Sequence, residues 1–591
     1  MRRFARRESV HDYIGVLVPL EEAHLHSYSA RCGKAEFEHD DGSEDANAVD
    51  LEDEETALGT AFKSSDNEGE GMLQMDAAEY TIEGLRRDVR KGEPGRRWTK
   101  YELKSKIINK AIQDIGMGRY NWQLFVLCGF GWFADNLWMQ GVSLTLPSLS
   151  GEFGVTEKHV RYTTSSLYIG LSIGSALWGL GADIMGRRIA FNLTLLITSI
   201  FGTLAALAPN WPFVCILFAL MGTGVGGNLP VDGALFLEFL PDASSSLLTL
   251  LSVWWPVGQL VSSLFAWYFI TNWPVDQGWR LFIAAVGLVT LVMFLIRFGL
   301  FYLFESPKYL LSQGRQAEAV AVVHGIAFRN GKKTWLTEEI LDAVVDAEDV
   351  QSVPVRVSAS SLLKQNLSSF SFSHIQPLFQ NRKLGLTTAL IWFCWAAIGM
   401  GYPLFNAFLP QYLSHGGAEV SSSSSSLTAR SESSAATAET YRNYAIISVV
   451  GVPGSLLAAY LVDHDSRFLG RKGTLAISTF VSAVFLFLFV TLGTTPNSQL
   501  FFTSVEAFCQ NIMYGVLYAF TPEIFPAPVR GAATGVASFL NRVAGLLAPL
   551  LAANAPGDGT TTPIYLSAAL ILAAFVGMVL IPIETRGRQR L

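Results

Sequence analysis

Ionisable side chains occur inside long apolar stretches of this 591-residue chain. Asp135 and Asp232 lie near the middle of two such stretches, and Glu506 and Arg542 lie inside two others. Because an ionised group at the centre of a bilayer costs about 2.5–3.5 kcal/mol even on the lenient insertion scale, each group must be paired or have a function. A carboxylate beside a watery pathway can carry a proton together with a solute. Asp135 and Asp232 are therefore candidate proton sites, and a structural, hydrogen-bonded acid is the alternative for both.

Polar neighbours extend this candidate site. Asn228 stands one helical turn before Asp232 and is a possible partner for it. Glu506 and Arg542 have similar predicted depths, so they can form a structural pair. Alternatively, the forked guanidinium of Arg542, with Asn541 beside it, holds a substrate carboxylate.

Amide side chains occur among aromatic rings in two further stretches. WWPVGQ (254–259) contains Gln259, and YPLFNAFLPQY (402–412) contains Asn406 and Gln411. Amides among rings suit a neutral or aromatic solute. Arg297, near the end of the sixth apolar stretch, is expected to extend its head group to the interface.

A glycine motif in the fourth stretch does not indicate a cofactor. GTGVGG (222–227) fits the dinucleotide pattern, but it lies inside an apolar run with no strand before it. The four-residue spacing of Gly222 and Gly226 predicts close helix packing instead. The sequence contains no phosphate-binding lysine motif, no metal-ligand cluster and no nucleophile constellation. We therefore expect no cofactor, no metal and no enzymatic activity.

Apolar runs of about 20 residues recur from residue 121 onward, which is typical of an integral membrane protein. Only 16% of the residues are charged, against about a quarter in soluble domains. We predict twelve spans in two sets of six. They are 121–147, 161–182, 189–208, 211–239, 246–271 and 280–304, and then 384–411, 442–463, 473–493, 497–521, 531–553 and 561–583.

The residues before the first span differ in composition. Between residues 36 and 70 there are fourteen acids against Lys63 alone, which resists collapse. We predict that residues 1–119 are a largely disordered cytoplasmic tail with a short basic helix. Loops rich in lysine and arginine place both termini in the cytoplasm. The predicted units after the tail are a first bundle (120–304), a cytoplasmic loop (305–383), a second bundle (384–583) and a short cytoplasmic tail (584–591).

Three short segments of the first half recur about 280 residues later, so one six-helix unit occurs twice. The pairs are GLGADIMGRR (179–188) with LVDHDSRFLGRKG (461–473), FLEFLP (236–241) with TPEIFP (521–526), and FESPKYL (304–310) with IPIETRG (581–587). In the first pair, glycines permit a tight turn. The aspartate can accept from N–H groups at a helix N-terminus, and the cations can bridge to acids on other loops. Such bridges can close the cytoplasmic mouth in one conformation and break in the other. The candidate latch residues are Asp183, Arg187, Arg188, Glu238, Glu305, Asp463, Arg471, Lys472, Glu523, Arg530 and Glu584.

The same segments resemble a known family. GLGADIMGRR resembles the signature loop of the major facilitator superfamily, and FESPKYLLSQGR resembles the segment after helix six in sugar porters. TPEIFPAPVRGAATG and GWFADNLWMQGVSLTLPSL resemble the organic-ion and synaptic-vesicle-protein branch, particularly its fungal members. The resemblance covers residues 105–590. It implies an all-α membrane protein with twelve transmembrane helices in two pseudo-symmetric six-helix bundles, working by alternating access. It also implies anion handling at the position of Arg542.

These observations favour a secondary active transporter of a small organic solute: a sugar, a carboxylate or another organic ion. Protons are the expected coupling ion, and the bilayer is the other partner, with no nucleic acid involved. We expect a monomer in the plasma membrane or in a vacuolar or vesicular membrane. The alternative is a transporter-like receptor or vesicle membrane protein that moves no solute.

Overall fold

The computed structural model is helical almost throughout. Within the part of the chain that the structure describes, β-type pairing is limited to a single parallel bridge between Leu17 and Thr334. The described residues are 8–25, 80–90, 100–241, 246–345, 376–379, 382–410, 426–463, 470–525, 527–554 and 561–582.

Six long helices make up the first half, after two shorter ones. The shorter helices are α1 (Ile82–Arg90) and α2 (Lys100–Ile115). The long helices are α3 (Arg119–Phe153), α4 (Tyr162–Met185), α5 (Arg187–Ala205), α6 (Trp211–Phe239), α7 (Trp254–Asn272) and α8 (Val275–Leu295). Local signals set several ends: the Asn210 side chain accepts from the N–H of Phe213 to cap α6, and Gly154 ends α3 with a φ of 62°.

The second half repeats this arrangement after a connecting segment. That segment contains α9 (Pro307–Ser312), α10 (Gln316–Asn330) and α11 (Glu338–Val345). The six long helices that follow are α12 (Arg382–Asn406), α13 (Ser426–Asp463), α14 (Arg471–Leu492), α15 (Pro496–Ile524), α16 (Ala527–Ala553) and α17 (Thr562–Leu580).

Among the described residues, nine helices are long and apolar enough to cross a membrane. Helices α3, α4 and α15 are not among the nine, and all three line the pocket described below. The nine helices establish an integral membrane protein. The crossing of all twelve stays a prediction.

Helices α4 and α6 touch through their backbones. A methyl group added at Gly226 would collide with the carbonyl of Leu171, and one added at Gly174 would collide with the carbonyl of Thr223. Gly170 and Gly222 are equally crowded. The predicted role of the GTGVGG glycines in close helix packing is therefore confirmed, because only hydrogen side chains fit this contact.

Part of the tail is folded rather than disordered. Residues 8–25, 80–90 and 100–115 pack with residues 306–345, and we call this assembly the tail–loop module. Tyr80 donates to Asp114 Oδ1, and Trp335 Nε1 donates to Asp114 Oδ2 at 2.8 Å. The module shares one hydrophobic core with the adjoining ends of α3 and α6. Helix α2 falls where the short basic helix of the tail was predicted. Residues 8–25 and 80–90 are ordered as well, because their apolar residues are buried by the connecting segment. The prediction for the rest of the tail stays a prediction. The acidic stretch 36–70 lies outside the described residues.

Candidate functional site

A pocket lies between the two halves. Helices α3, α4, α6 and α7 line it from the first half, and α12, α15 and α16 line it from the second. A pocket built by both halves changes shape whenever the halves rotate relative to each other. The lining residues are Asp135, Asn136, Met139, Tyr168, Leu171, Leu229, Trp255, Gln259, Gly399, Tyr402, Gln510, Asn511, Tyr514, Tyr518, Asn541 and Arg542.

Asp135 is the carboxylate of this pocket. It lies on α3 and its side chain is buried. Asn228 of α6 donates from Nδ2 to Asp135 Oδ1 at 3.2 Å. The predicted possible pairing of Asn228 with Asp232 is wrong, because the amide faces α3. A neutral amide supports either protonation state of the carboxylate, so Asp135 is free to exchange a proton without breaking an ion pair.

Gln259 connects the two halves at the same level. Its Nε2 donates to Asn136 Oδ1 at 2.9 Å on α3 and to the Tyr402 hydroxyl at 3.1 Å on α12. Two donor hydrogens are thereby shared between opposite walls. A movement of one half relative to the other must break one of these bonds.

Arg542 supplies the cation of the pocket. It forms no ion pair with any described residue, and its charge acts on Asp135 across the cavity. Three nearby side chains have a buried polar atom without a hydrogen-bond partner: Trp255 Nε1, Gln510 Nε2 and Asn541 Oδ1. Buried polar atoms are normally satisfied, and two of these three are donors. The pocket is therefore rich in donors that an acceptor-bearing solute can satisfy.

Aromatic rings close one side of the pocket. Trp255 stacks on Trp132 with ring centroids 4.7 Å apart, and Tyr518 meets the edge of Trp255 at 5.3 Å. Tyr402 and Tyr514 form a second edge contact at 5.5 Å. Flat apolar walls next to a few polar groups fit a small solute with a planar or apolar body.

Asp232 does not line the pocket. Its Oδ2 accepts from Arg297 Nη2 at 2.6 Å, and both side chains are 0% exposed. Arg297 also donates to the carbonyls of Leu127 and Phe191, each at 2.9 Å. The prediction that Arg297 extends to the interface is wrong, because all three of its guanidinium nitrogens donate inside the bundle.

Glu506 and Arg542 do not form the predicted pair. Glu506 is buried on α15, but it does not line the pocket, and its Oε1 has no hydrogen-bond partner. Gln510, one turn further along α15, reaches the pocket and accepts from Asn406 Nδ2 at 3.2 Å. Asn406 is thus a neighbour of the lining. Gln411 lies outside the described residues.

Helix α15 contributes four lining residues that were not predicted from the sequence: Gln510, Asn511, Tyr514 and Tyr518. Glu506, Gln510, Tyr514 and Tyr518 recur at intervals of four, so they share one face of the helix. That spacing was the available signal. Asn136 and Tyr168 carry no comparable signal, because nothing in the sequence shows which face of α3 or α4 meets the cavity.

The signature loop makes contacts within the first half. The chain reverses at Gly186, whose φ is +97°. Arg187 Nη1 binds Glu238 Oε1 at 2.9 Å, as the latch hypothesis expects. Glu305 accepts from the backbone N–H groups of Arg187 at 2.9 Å and Arg188 at 3.2 Å, so it caps α5 rather than pairing with an arginine head group. Burial raises the pKa of Glu305 above its usual value, and these hydrogen bonds oppose that shift.

The matching region of the second half is only partly described. Lys472 Nζ donates to the Ile581 carbonyl at 2.6 Å, just beyond α17. Arg471 begins α14. The remaining latch candidates lie outside the described side chains; they are Asp183, Asp463, Glu523, Arg530 and Glu584.

Contacts between the halves occur at both ends of the bundle. At the end opposite the signature loop, Arg161 Nη1 donates to the Ala552 carbonyl at 2.7 Å, and its guanidinium lies 5.0 Å from the centre of the Phe408 ring. Near the signature loop, Ser455 Oγ donates to the Ser252 carbonyl at 3.4 Å. These contacts join the two halves on either side of the pocket level.

Two six-helix halves around a shared central pocket define a membrane transporter of the major facilitator type. The chain matches the Major Facilitator Superfamily over residues 124–549 and 431–591, and it belongs to that family. Its relatives include the "MFS siderochrome iron transporter 1" of Ceriporiopsis subvermispora, 41% identical with 88% of this chain and 99% of that protein covered. Another is the "Major facilitator-type transporter hxnZ" of Emericella nidulans, 42% identical with 82% and 88% covered.

A solved structure shares the fold. The proton:xylose symporter XylE, bound to 6-bromo-6-deoxy-D-glucose, superposes with a TM-score of 0.56 at 17% identity, covering 80% of this chain and 98% of that chain. The expected membership and fold class are confirmed, and the family is one of transporters rather than enzymes.

Proposed function

We propose that this transporter moves a small organic solute bearing a carboxylate, together with a proton. The observation that carries the proposal is the placement of Asp135 and Arg542 in one pocket between the halves. Arg542 binds the solute's carboxylate through its fork, and Asp135 carries the proton. The aromatic wall receives the apolar part of the solute.

The geometry gives each group a defined task. Charge-assisted hydrogen bonds to a carboxylate are among the stronger interactions available in a dry site. Trp255 Nε1 and Gln510 Nε2 supply further unused donors. A proton on Asp135 removes one negative charge from the pocket, so the loaded pocket holds Arg542 and the solute's carboxylate as a neutral pair. Uncompensated charge opposes movement of a closed site through the membrane, which makes solute and proton move together.

Access to the pocket alternates in this proposal. Arg161 holds the end opposite the signature loop, and Gln259 spans the pocket itself. The ion pair between Arg187 and Glu238 stabilises the first half at the end that carries the signature loop. We propose that this end faces the cytoplasm, as do both termini, because the lysine- and arginine-rich loops lie there. The choice among carboxylates stays open in this proposal.

Reconstituted protein tests the proposal. The purified chain is placed in liposomes, and uptake is compared between matched solutes, such as an aromatic carboxylate and its carboxamide. An imposed proton gradient is expected to concentrate the carboxylate and not the amide. Equal uptake of both would refute the role of Arg542, and gradient-independent uptake would refute the role of Asp135.

The second candidate is a receptor that has the transporter fold but moves nothing. The folded tail–loop module favours it, because the module offers a large non-membrane surface. A thermal-shift assay that shows carboxylate binding, together with no uptake into liposomes under any imposed proton gradient, would support the receptor function.

A further inference from the structure

The N-terminal segment 8–18 is bound to the tail–loop module. Thr334 donates its N–H to the Val16 carbonyl, and Val18 donates to the Thr334 carbonyl, both at 3.0 Å. The ring of Tyr13 packs against Phe304, with centroids 6.3 Å apart. These contacts attach a segment from the start of the chain to the segment that joins the two halves.

Glu8 extends this attachment to the membrane bundle. Its carboxylate accepts from the hydroxyls of Tyr13 and Tyr302. Burial raises the pKa of Tyr13 and Tyr302, so both hydroxyls keep the protons that they donate. Arg188 of the signature loop lies 4.9 Å from the centre of the Tyr302 ring. Docking of segment 8–18 therefore reaches the loop that carries the latch residues.

Ser9 follows Glu8 directly and is half-buried. Its Oγ accepts from the backbone N–H of His11 at 3.4 Å, within its own turn. In sequence it ends the run Arg6-Arg7-Glu8-Ser9 and is followed by Val10. Two arginines at the third and second positions before a serine, with an aliphatic residue after it, match the substrates of basophilic protein kinases. Those kinases bind the arginines with acidic groups in an extended peptide cleft.

We propose that Ser9 is a phosphorylation site, and that its phosphate releases segment 8–18 from the tail–loop module. In the reaction the Ser9 Oγ forms a bond to the γ-phosphorus of ATP while the bond to ADP breaks, and the hydroxyl proton leaves to the kinase. The inference does not depend on the identity of the solute, and its test uses no transport measurement.

Two physical effects make docking and phosphorylation compete. A kinase cleft needs residues 6–10 extended and accessible, whereas the docked chain enters a 3-10 turn at Val10, uses the Ser9 hydroxyl to cap that turn and holds Glu8 between two tyrosine hydroxyls. The phosphate also adds a charge of about −1.5 to −2. That charge stands next to Glu8 and three residues from Asp12, so the docked turn concentrates negative charge. Because the kinase acts on the released segment, whatever weakens docking enlarges the population that the kinase can modify.

Two cations near Ser9 could produce the opposite outcome, in which the phosphate tightens the docking of segment 8–18. Arg329 donates to the Tyr302 carbonyl at 2.8 Å, and Arg188 covers the Tyr302 ring. Either guanidinium could attract a new phosphate and tighten docking. The test below distinguishes release from tightening.

The experiment uses the full-length purified chain with a basophilic kinase and magnesium ATP. Mass spectrometry locates the phosphate, and Ser9→Ala is the matched control. Hydrogen exchange is then followed in peptides that contain Val18 and Thr334, whose N–H groups form the docking ladder. We expect phosphate at Ser9 and exchange about tenfold faster or more at both positions. Unchanged or slower exchange in the phosphorylated chain would overturn the proposal.

A second variant keeps the test independent of the kinase's own preferences. Glu8→Ala removes both tyrosine contacts, so the intact chain should be phosphorylated several-fold faster than the wild type. A synthetic peptide of residues 1–16, with and without the same substitution, corrects for the change next to the serine. A peptide that accepts phosphate while both chains remain unmodified would also overturn the proposal.

Discussion

Asp135 and Asp232 are both buried carboxylates of the first half, yet their surroundings differ in one decisive respect. Asp232 is paired with Arg297, a cation that also binds two backbone carbonyls. Asp135 has only an amide as direct partner and faces a pocket shared by both halves. A fixed guanidinium locks one charge state, whereas an amide tolerates two. The partner, more than burial itself, therefore distinguishes the ion-paired Asp232 from Asp135, the acid to which we assign the proton in our proposal.

The largest expected effect separates the two acids directly. Asp135→Asn should fold normally and lose proton-driven accumulation, because the amide cannot carry a proton. With one proton per solute, each pH unit supports about tenfold accumulation, so a gradient of about two units should change from roughly 100-fold accumulation to none. The measurement is uptake into liposomes with and without the gradient. Retained accumulation would remove Asp135 from the coupling role.

The next effect concerns the locked acid. Arg297→Met leaves Asp232 buried without its cation and should lower the free energy of unfolding by about 3–5 kcal/mol. The double variant Arg297→Met with Asp232→Leu should recover part of that loss, since both charges are gone. The carbonyls of Leu127 and Phe191 lose the additional hydrogen bonds that Arg297 donates to them, which keeps the rescue incomplete. Denaturation in detergent measures all three chains, and a single variant as stable as the wild type would contradict the pairing.

A third variant examines the cation that faces Asp135. Arg542→Lys keeps the charge but loses the fork, so carboxylate binding should weaken by about 10- to 100-fold, equivalent to about 1.5–3 kcal/mol. The carboxamide analogue serves as control, because its binding should change little. Equal losses for acid and amide would show that Arg542 acts through packing rather than through the carboxylate.

A fourth variant extends the comparison from acids to cations at the end opposite the signature loop. Arg161→Gln removes a charged donor that joins the halves and should favour opening there by about tenfold. The rate at which an impermeant thiol reagent labels a cysteine introduced as Met139→Cys reports this opening. Arg280→Gln is the matched control, because Arg280 binds Glu152 within one half. Equal labelling in both variants would exclude a closing role for Arg161.

The smallest effect concerns a third acid, Glu305. Its raised pKa means that the folded chain binds the proton more tightly than the unfolded chain. Stability therefore falls as pH rises from the ordinary value of 4.5 through the raised value. Glu305→Gln should flatten this slope and change stability by about 1 kcal/mol or less, because an amide oxygen can still cap α5. If the free energy of unfolding depended more steeply on pH in the variant, the pH dependence would not come from Glu305.

Much of the architecture was predictable from the sequence. The length of each apolar stretch and the repeated motifs can be identified from short stretches of the chain, without knowledge of tertiary contacts. The acid of the pocket was also predictable, since Asp135 stands out in a long apolar helix. The partners of the buried polar side chains were not predictable. Arg297 meets Asp232 across 65 residues, and Asn228 turns to α3 instead of its own helix neighbour. Such pairings depend on helix rotation, which a single sequence does not encode locally. The tail–loop module was missed for the same reason, since its helices are stabilised by distant segments.

The backbone contact between α4 and α6 has a mechanical consequence. Where two helices meet through glycines, their backbones touch directly and few side chains separate them. We expect α4 and α6 to move as one rigid body. The rotation of one half relative to the other must therefore occur at other contacts. The polar contacts between the halves, made by Arg161, Ser455 and Gln259, are the ones that must break during this rotation. We expect them to set the energy barrier to transport.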